Sequence, residues 1–289
     1  MKKFTKILAF AATACLAAAL VAGCSSAPAQ QEQSTAEPAP AEQQTPEADA
    51  PAQATKLIVG YDNSYPPYGF IGDDGNPTGL DLDLAAAVCD KLGWEFEATA
   101  INWDAKDALI NQGSINCIWN GFTMEGREND YTFSEPYMLN EQVVVVKAGS
   151  DITDLADLAG KTVVTQVDSA ALDVLEGDQA ELAGTFAKLD QLSDYNNAFM
   201  QLESGMVDAV ACDLSIAAYQ MAANPGAYTQ LPTALSSEHY AVGFKKGDTE
   251  LAKQVTDALK ELYADGTVQK LCEKYADYGV TVDNWVLFE

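Results

Sequence analysis

The sequence predicts an α/β fold in two lobes. Short apolar or β-branched runs alternate with helical patterns from Leu57 to the C-terminus. Polar turn residues cluster directly after several of the strand-like runs. The stretch Lys56–Glu289 contains 234 residues, enough for a large core and more than one compact layer set. Repeated strand–helix alternation implies parallel sheets covered on both faces. In such sheets ligands sit beyond the carboxyl ends of the strands.

The chain opens as an export leader. Lys2, Lys3 and Lys6 make a positive start, and Ile7 to Ala22 follow as an uncharged, mostly apolar run of 16 residues. That is short of the roughly 18 residues expected of a spanning helix, so cleavage is expected. The run ends in Val21-Ala22-Gly23-Cys24, which resembles the lipobox of bacterial lipoproteins. The resemblance implies a signal peptide over residues 1–23 and a lipid on Cys24, because a cysteine thiolate can form a thioether with a diacylglyceryl group. An ordinary signal peptide with an incidental cysteine is the plainer alternative. Several acyl chains at one point hold a protein stably, each buried methylene contributing about 0.8 kcal/mol.

Residues 24–55 form the next segment. From Ser25 to Thr55 there is no Val, Ile, Leu, Met or aromatic residue, so the segment cannot bury enough surface to offset its ordering entropy. Glu32, Glu37, Glu42 and Glu47 recur every five residues among prolines. A disordered acidic stalk with an r.m.s. reach of roughly 30 Å is expected.

The folded part then reads as follows. Leu57–Tyr61 is a strand and Leu80–Leu92 a helix with apolar residues at Leu80, Leu84, Val88 and Leu92. Phe96–Ile101 and Ile115–Trp119 are strands flanking a helix over Ala105–Asn111. Strands follow at Gln142–Lys147, Thr162–Gln166, Val207–Cys212 and Tyr240–Phe244. Helices are expected at Asp154–Ala159, Ala170–Glu176, Tyr195–Ser204, Leu214–Ala223, Glu250–Asp265 and Thr267–Tyr275, with Gly266 as a helix stop.

Composition excludes several function classes. The formal charge is −27, and removal of residues 1–23 takes away three lysines and no acid, giving −30. Such a surface argues against nucleic-acid binding and against direct adhesion to anionic lipid. Cys89, Cys117, Cys212 and Cys272 form no CxxC pair and His239 is the single histidine, so no metal or cofactor is expected. The four cysteines read first as small buried hydrophobes.

Strand ends then nominate candidate residues. Arg127 is the only arginine, and its planar fork matches a carboxylate where lysine would not; a structural salt bridge is the alternative. Asp213 follows a strand and precedes a helix, so it either caps that helix or receives an ammonium group. Ser169 stands before another helix, where it can cap or can help bind an anion. Tyr65, Tyr68 and Trp103 could supply flat apolar walls.

From Leu57 onward the chain resembles the polar amino-acid family of ABC-importer substrate-binding proteins, bacterial solute-binding protein family 3. The stretches that carry the likeness are Val59-Gly60-Tyr61-Asp62 through Pro66-Pro67-Tyr68, Gly79-Leu80-Asp81-Leu82-Asp83-Leu84, and Asn120-Gly121-Phe122-Thr123 through Arg127 to Tyr137. Later come Leu158-Ala159-Gly160-Lys161-Thr162-Val163, Gln166 to Ser169, Gly205 to Asp213, and Ala264-Asp265-Gly266-Thr267. The likeness implies a two-lobed, periplasmic-binding-protein-like (type II) fold with two hinge crossings, lobe 1 being 56–139 and 241–289 and lobe 2 being 140–240. It also implies a monomer that passes a free amino acid to an ABC permease and ATPase complex.

By position, the resemblance gives Arg127 the ligand's α-carboxylate, helped by Gly121, Thr123 and Ser169, and Asn120 is expected among the ligand-binding residues. Asp213 would hold the α-ammonium, Asp62 would sit at the side-chain end, and Tyr65 with Trp103 would sandwich the side chain. Asp168 stands where the family commonly has glycine, and its charge should repel the ligand's carboxylate unless it points away. Ala170 replaces a frequent Thr or Ser. Phe96 stands where some members have the cysteine that pairs with the equivalent of Cys89, so that disulfide is not expected. Asp62 could receive a cationic side chain or an amide, while Trp103 and Trp119 suggest a flat or long apolar portion; a polar uncharged amino acid, glutamine or cystine, is favoured over lysine or arginine. No catalytic residue is expected. The alternatives are an amino-acid-binding surface sensor or adhesin, and an enzyme resembling cyclohexadienyl dehydratase.

Overall fold

The computed structural model describes residues 56–288, so the leader, Cys24 and the stalk lie outside the described residues. The first sheet has five strands in the order Glu95–Ala100, Lys56–Tyr61, Cys117–Ile118, Gly243–Lys245 and Tyr131–Phe133. The second is built on Met138–Lys147, with Lys188–Leu192, Thr162–Gln166 and Ala209–Asp213 on one side of it and Tyr228–Gln230 and Ser236–Tyr240 on the other. A small three-stranded sheet, Ser64–Tyr65, Gly69–Ile71 and Pro77–Thr78, follows the strand Lys56–Tyr61 in the chain.

Valines 143 to 146 show why both faces are covered. Alternate residues of a strand face opposite sides. Val144 and Val146 pack with Leu158, Ala171 and Leu175, while Val143 and Val145 pack with Phe199, Leu202 and Ile216. A continuous apolar run is what a sheet buried on both faces requires. Each fully buried valine contributes roughly 1.5–3 kcal/mol. The first sheet repeats the plan. Helices Leu80–Leu92 and Thr249–Ala264 cover one face, and Ile110 of helix Lys106–Gln112 joins Ile115, Ile118 and Phe122 on the other.

Four expectations need correction. Tyr240–Phe244 is not one strand: Ser236–Tyr240 pairs antiparallel with Met138–Gln142, whereas Gly243–Lys245 pairs with Cys117–Ile118 and Tyr131–Phe133. The chain changes sheets at Ala241–Val242. The strand expected from Gln142 begins four residues earlier, at Met138, because its first half pairs with Ser236–Tyr240. These returning strands make both sheets mixed rather than parallel. The strand expected over Ile115–Trp119 pairs only at Cys117–Ile118. Helices Leu80–Leu92, Ala170–Glu176, Tyr195–Ser204 and Leu214–Ala223 fall where the periodicity puts them. Cys89, Cys117, Cys212 and Cys272 are free and buried. No described helix is long and apolar enough to cross a membrane.

Candidate functional site

Strand ends of the two sheets face one another and bring together residues far apart in sequence. Tyr65, Trp103, Gly121, Thr123 and Arg127 from the first side meet Gln166, Ser169, Ala170 and Asp213 from the second around one pocket. The space among them is about 10 Å³, room for roughly one water. Larger cavities open on either side. One, of about 260 Å³, lies beside Asp62, Asp104 and Asp194; the other, of about 340 Å³, lies beside Glu125, Asp173, Asp178 and Glu238.

Gly121 lies on the turn after Cys117–Ile118. Its φ is +56°, and an added Cβ would come within 3.1 Å of both the Tyr65 and Tyr240 rings. A side chain would be strained there in backbone and in space. The Gly121 N–H donates to Asp81 Oδ2 at 2.6 Å, and the Tyr137 hydroxyl donates to both Asp81 oxygens at 2.8 Å. Burial pushes Asp81 up to about 7 against these donors.

Arg127 spans the cleft. Its guanidinium donates to Thr123 O at 3.4 Å on its own side, and to Asp168 O at 3.3 Å and Asp173 Oδ2 at 2.8 Å on the other. The group also lies 5.0 Å from the Phe122 ring centroid, a cation–π distance.

Asp168 explains its own departure from glycine. Its φ of +53° is the left-handed conformation that glycine adopts freely and that aspartate tolerates better than most residues. In this conformation the carbonyl faces the first sheet, accepting from Trp103 Nε1 at 3.0 Å and from Arg127. The carboxylate turns to Lys106 Nζ at 3.7 Å. Lys106 is buried, and desolvation followed by the charge of Arg127 lowers its pKa. Sequence reasoning passed over Lys106, because a lysine in a helix ordinarily reads as solvated surface.

Ser169 is an N-cap, its Oγ accepting from Leu172 N at 3.1 Å. Asp213 is not. It makes no capping bond, and its Oδ1 instead accepts from Asn140 at 2.9 Å, Gln142 at 2.7 Å and the Tyr240 hydroxyl at 2.8 Å. Burial raises its pKa, opposed by the hydroxyls of Tyr65 and Tyr240 and by Gln142.

Asp62 stands at the edge of the pocket, taking Ser64 N–H at 2.8 Å and Gln166 Nε2 at 2.7 Å. Asn120 does not join the pocket: it is buried with no partner among the described residues, its Oδ1 close against Gly69. Trp119 is wholly buried near Tyr137, away from the lining, and contributes no wall. Glu238 was missed, although it is buried and bonded to Thr123, Asn140 and Gln142; its exposed-looking neighbours Ser237 and His239 conceal it in sequence.

Residues 57–278 match the family described as bacterial extracellular solute-binding proteins, family 3. The chain is 29% identical over 228 residues to the L-cystine-binding protein TcyJ of Escherichia coli K12, covering 78% of this chain and 84% of that one. A Streptococcus pneumoniae ABC uptake transporter substrate-binding protein with bound histidine superposes with a TM-score of 0.74 at 34% identity, covering 76% of this chain and 92% of that one. The ancestral amino acid-binding protein AncCDT-1, a precursor of cyclohexadienyl dehydratase, superposes at 0.69 with 29% identity, covering 76% and 95%.

Proposed function

The chain belongs to the bacterial extracellular solute-binding proteins of family 3, and from that premise we propose that it captures one free amino acid between its lobes and passes it to an ABC importer. The observation that carries this reading is the convergence of Arg127 and Asp213 from opposite sheets on one pocket. An α-amino acid is a zwitterion, and it is recognised by fixed opposite charges in a dry cleft. Arg127 would take the α-carboxylate through its fork, with Thr123, Gly121 and Ser169 beside it. Asp213 would take the α-ammonium, and Tyr65 and Trp103 would flank the side chain. Asp62 would act at the far end of that side chain, and Asn120 would support the turn from behind.

With about 10 Å³ among these groups, admission of an amino acid requires the lobes to part. The crossing segments near Asn140 and Ala241 are where they would pivot, which fits lobes of 56–139 with 241–289 and 140–240. Ligand touching both sides then stabilises the closed form by its differential affinity.

Glutamine or cystine is the solute this reading favours. Asp62 already accepts two hydrogen bonds, which suits a polar uncharged end better than a cation. The likeness to the cystine-binding protein TcyJ agrees with it. The protein would carry no catalytic residue or cofactor and would work as a monomer held at the outer face of a membrane by lipid on Cys24.

A thermal-shift screen of the twenty amino acids plus cystine tests the reading. A ligand at 100 times its dissociation constant stabilises by about 2.7 kcal/mol, several degrees for a protein of this size. No shift with any of them would overturn it.

A further inference from the structure

The partner of Asp213 is another acid. Asn140 Nδ2 lies 2.9 Å from Asp213 Oδ1 and 2.8 Å from Glu238 Oε1; Gln142 Nε2 lies 2.7 Å and 2.8 Å from the same two oxygens. Each amide nitrogen has two hydrogens, so each joins the two carboxylates with both of them. A hydroxyl completes each end: Tyr240 donates to Asp213 at 2.8 Å and Thr123 to Glu238 at 2.8 Å. The result is a near-symmetric pair in which one oxygen of each acid takes three donors.

Both carboxyl groups are buried, at 4% and 3% exposure. Among the described residues, no lysine or arginine nitrogen pairs with either. Other titratable groups surround them. Glu125, Asp173 and Asp178 line the cavity beside Glu238. Arg127 is already paired with Asp173, and His239 with Glu125 at 2.7 Å. Tyr65 and Tyr240 lie against Asp213, where burial and neighbouring acids keep their hydroxyls protonated. Two carboxylates within about 6 Å in such a setting do not both ionise freely.

We infer that Glu238 is a positioning residue of the ammonium subsite, sharing one negative charge with Asp213 until an ammonium group enters and expels the proton the pair holds. This rests on the amino-acid reading. The proton goes to solvent, and the arriving ammonium supplies the positive charge that lets both acids ionise. Burial, then the charge of Asp213, pushes Glu238 up to about 7, so the exchange falls at neutral and mildly acid pH.

Calorimetric titration of the purified protein with cystine, glutamine, arginine and histidine, at pH 6 and pH 8 and in two buffers of different ionisation enthalpy, tests the inference. Expected at pH 6 is release of close to one proton per bound amino acid, little release at pH 8, and affinity falling by up to about tenfold per pH unit below neutrality. Glu238→Gln should bind more weakly than the unaltered protein at pH 8 and lose most of the proton release and the pH dependence. Binding without proton release in the unaltered protein overturns the inference and leaves the amino-acid reading standing. So does Glu238→Gln that lowers affinity equally at both pH values with the proton count unchanged. Failure of all four probes to bind at either pH, with no response in the wider thermal-shift screen, overturns the amino-acid reading and this inference with it.

Discussion

Gln166 reaches from the second sheet to Asp62, just past a strand end of the first, Nε2 to Oδ2 at 2.7 Å, and both side chains are buried. The bond is a clasp on one flank of the cleft, as Arg127 with Asp173 is on another. Burial raises the pKa of Asp62, and Ser64 N–H and Gln166 hold it down. Gln166→Ala removes one of these donors, at a cost of about 1–3 kcal/mol to the closed arrangement. Small-angle scattering of the unliganded protein should show a larger radius of gyration in the variant. An unchanged scattering curve would show that the clasp does not govern closure.

Arg127→Ala should leave the fold intact, because the guanidinium joins the lobes rather than filling a core. Amino-acid affinity should fall by about 2–5 kcal/mol, the range for truncating one member of a desolvated charge pair. Arg127→Lys should restore little, since ammonium lacks the planar fork. Calorimetry with affinity unchanged in Arg127→Ala would remove this residue from the binding machinery.

Asp81 makes stability depend on pH with a definite sign. Burial pushes its folded-state pKa up to about 7 from the ordinary 3.8. Between those values the folded protein holds a proton that the unfolded chain has lost, so stability is greatest below about pH 4 on this account and declines as pH rises towards 7. The shift corresponds to at most about 4 kcal/mol. Asp81→Asn stays neutral, so its stability relative to the unaltered protein should improve between pH 5 and pH 8. Urea denaturation at both pH values measures this; parallel behaviour would rule out Asp81 as the source.

Asp168→Gly should preserve the fold, because glycine enters the left-handed region without strain. Asp168→Ala should cost about 1–2 kcal/mol through the same backbone requirement. Both lose the carboxylate near Lys106, so the difference between them isolates the backbone. Equal melting temperatures would contradict this account.

Periodicity located the long helices because an amphipathic or buried helix repeats its apolar residues over several turns. Short strands left a weaker mark. Ser64–Tyr65, Pro77–Thr78 and Tyr131–Phe133 are two or three residues long, and their pairing partners, not their own patterns, define them. The sheet change after Tyr240 was hidden for a related reason: the apolar run through Phe244 continues across it. At the site, Arg127 and Asp213 stood out as charges at strand ends. Glu238 and Lys106 did not, because burial of a charged side chain depends on what the other lobe brings to it.

The first sheet is completed from both ends of the folded part. Gly243–Lys245 lies between Cys117–Ile118 and Tyr131–Phe133, while the strands of the second sheet are contiguous from Met138 to Tyr240. A chain emerging N-terminus first can therefore assemble the second sheet while the first still lacks a central strand. Until residue 245 emerges, two strand edges stay open beside apolar side chains, a template for wrong pairing. The order of emergence thus makes the earliest-synthesised sheet the last to close, and truncation anywhere before Gly243 should yield aggregation rather than a smaller folded protein.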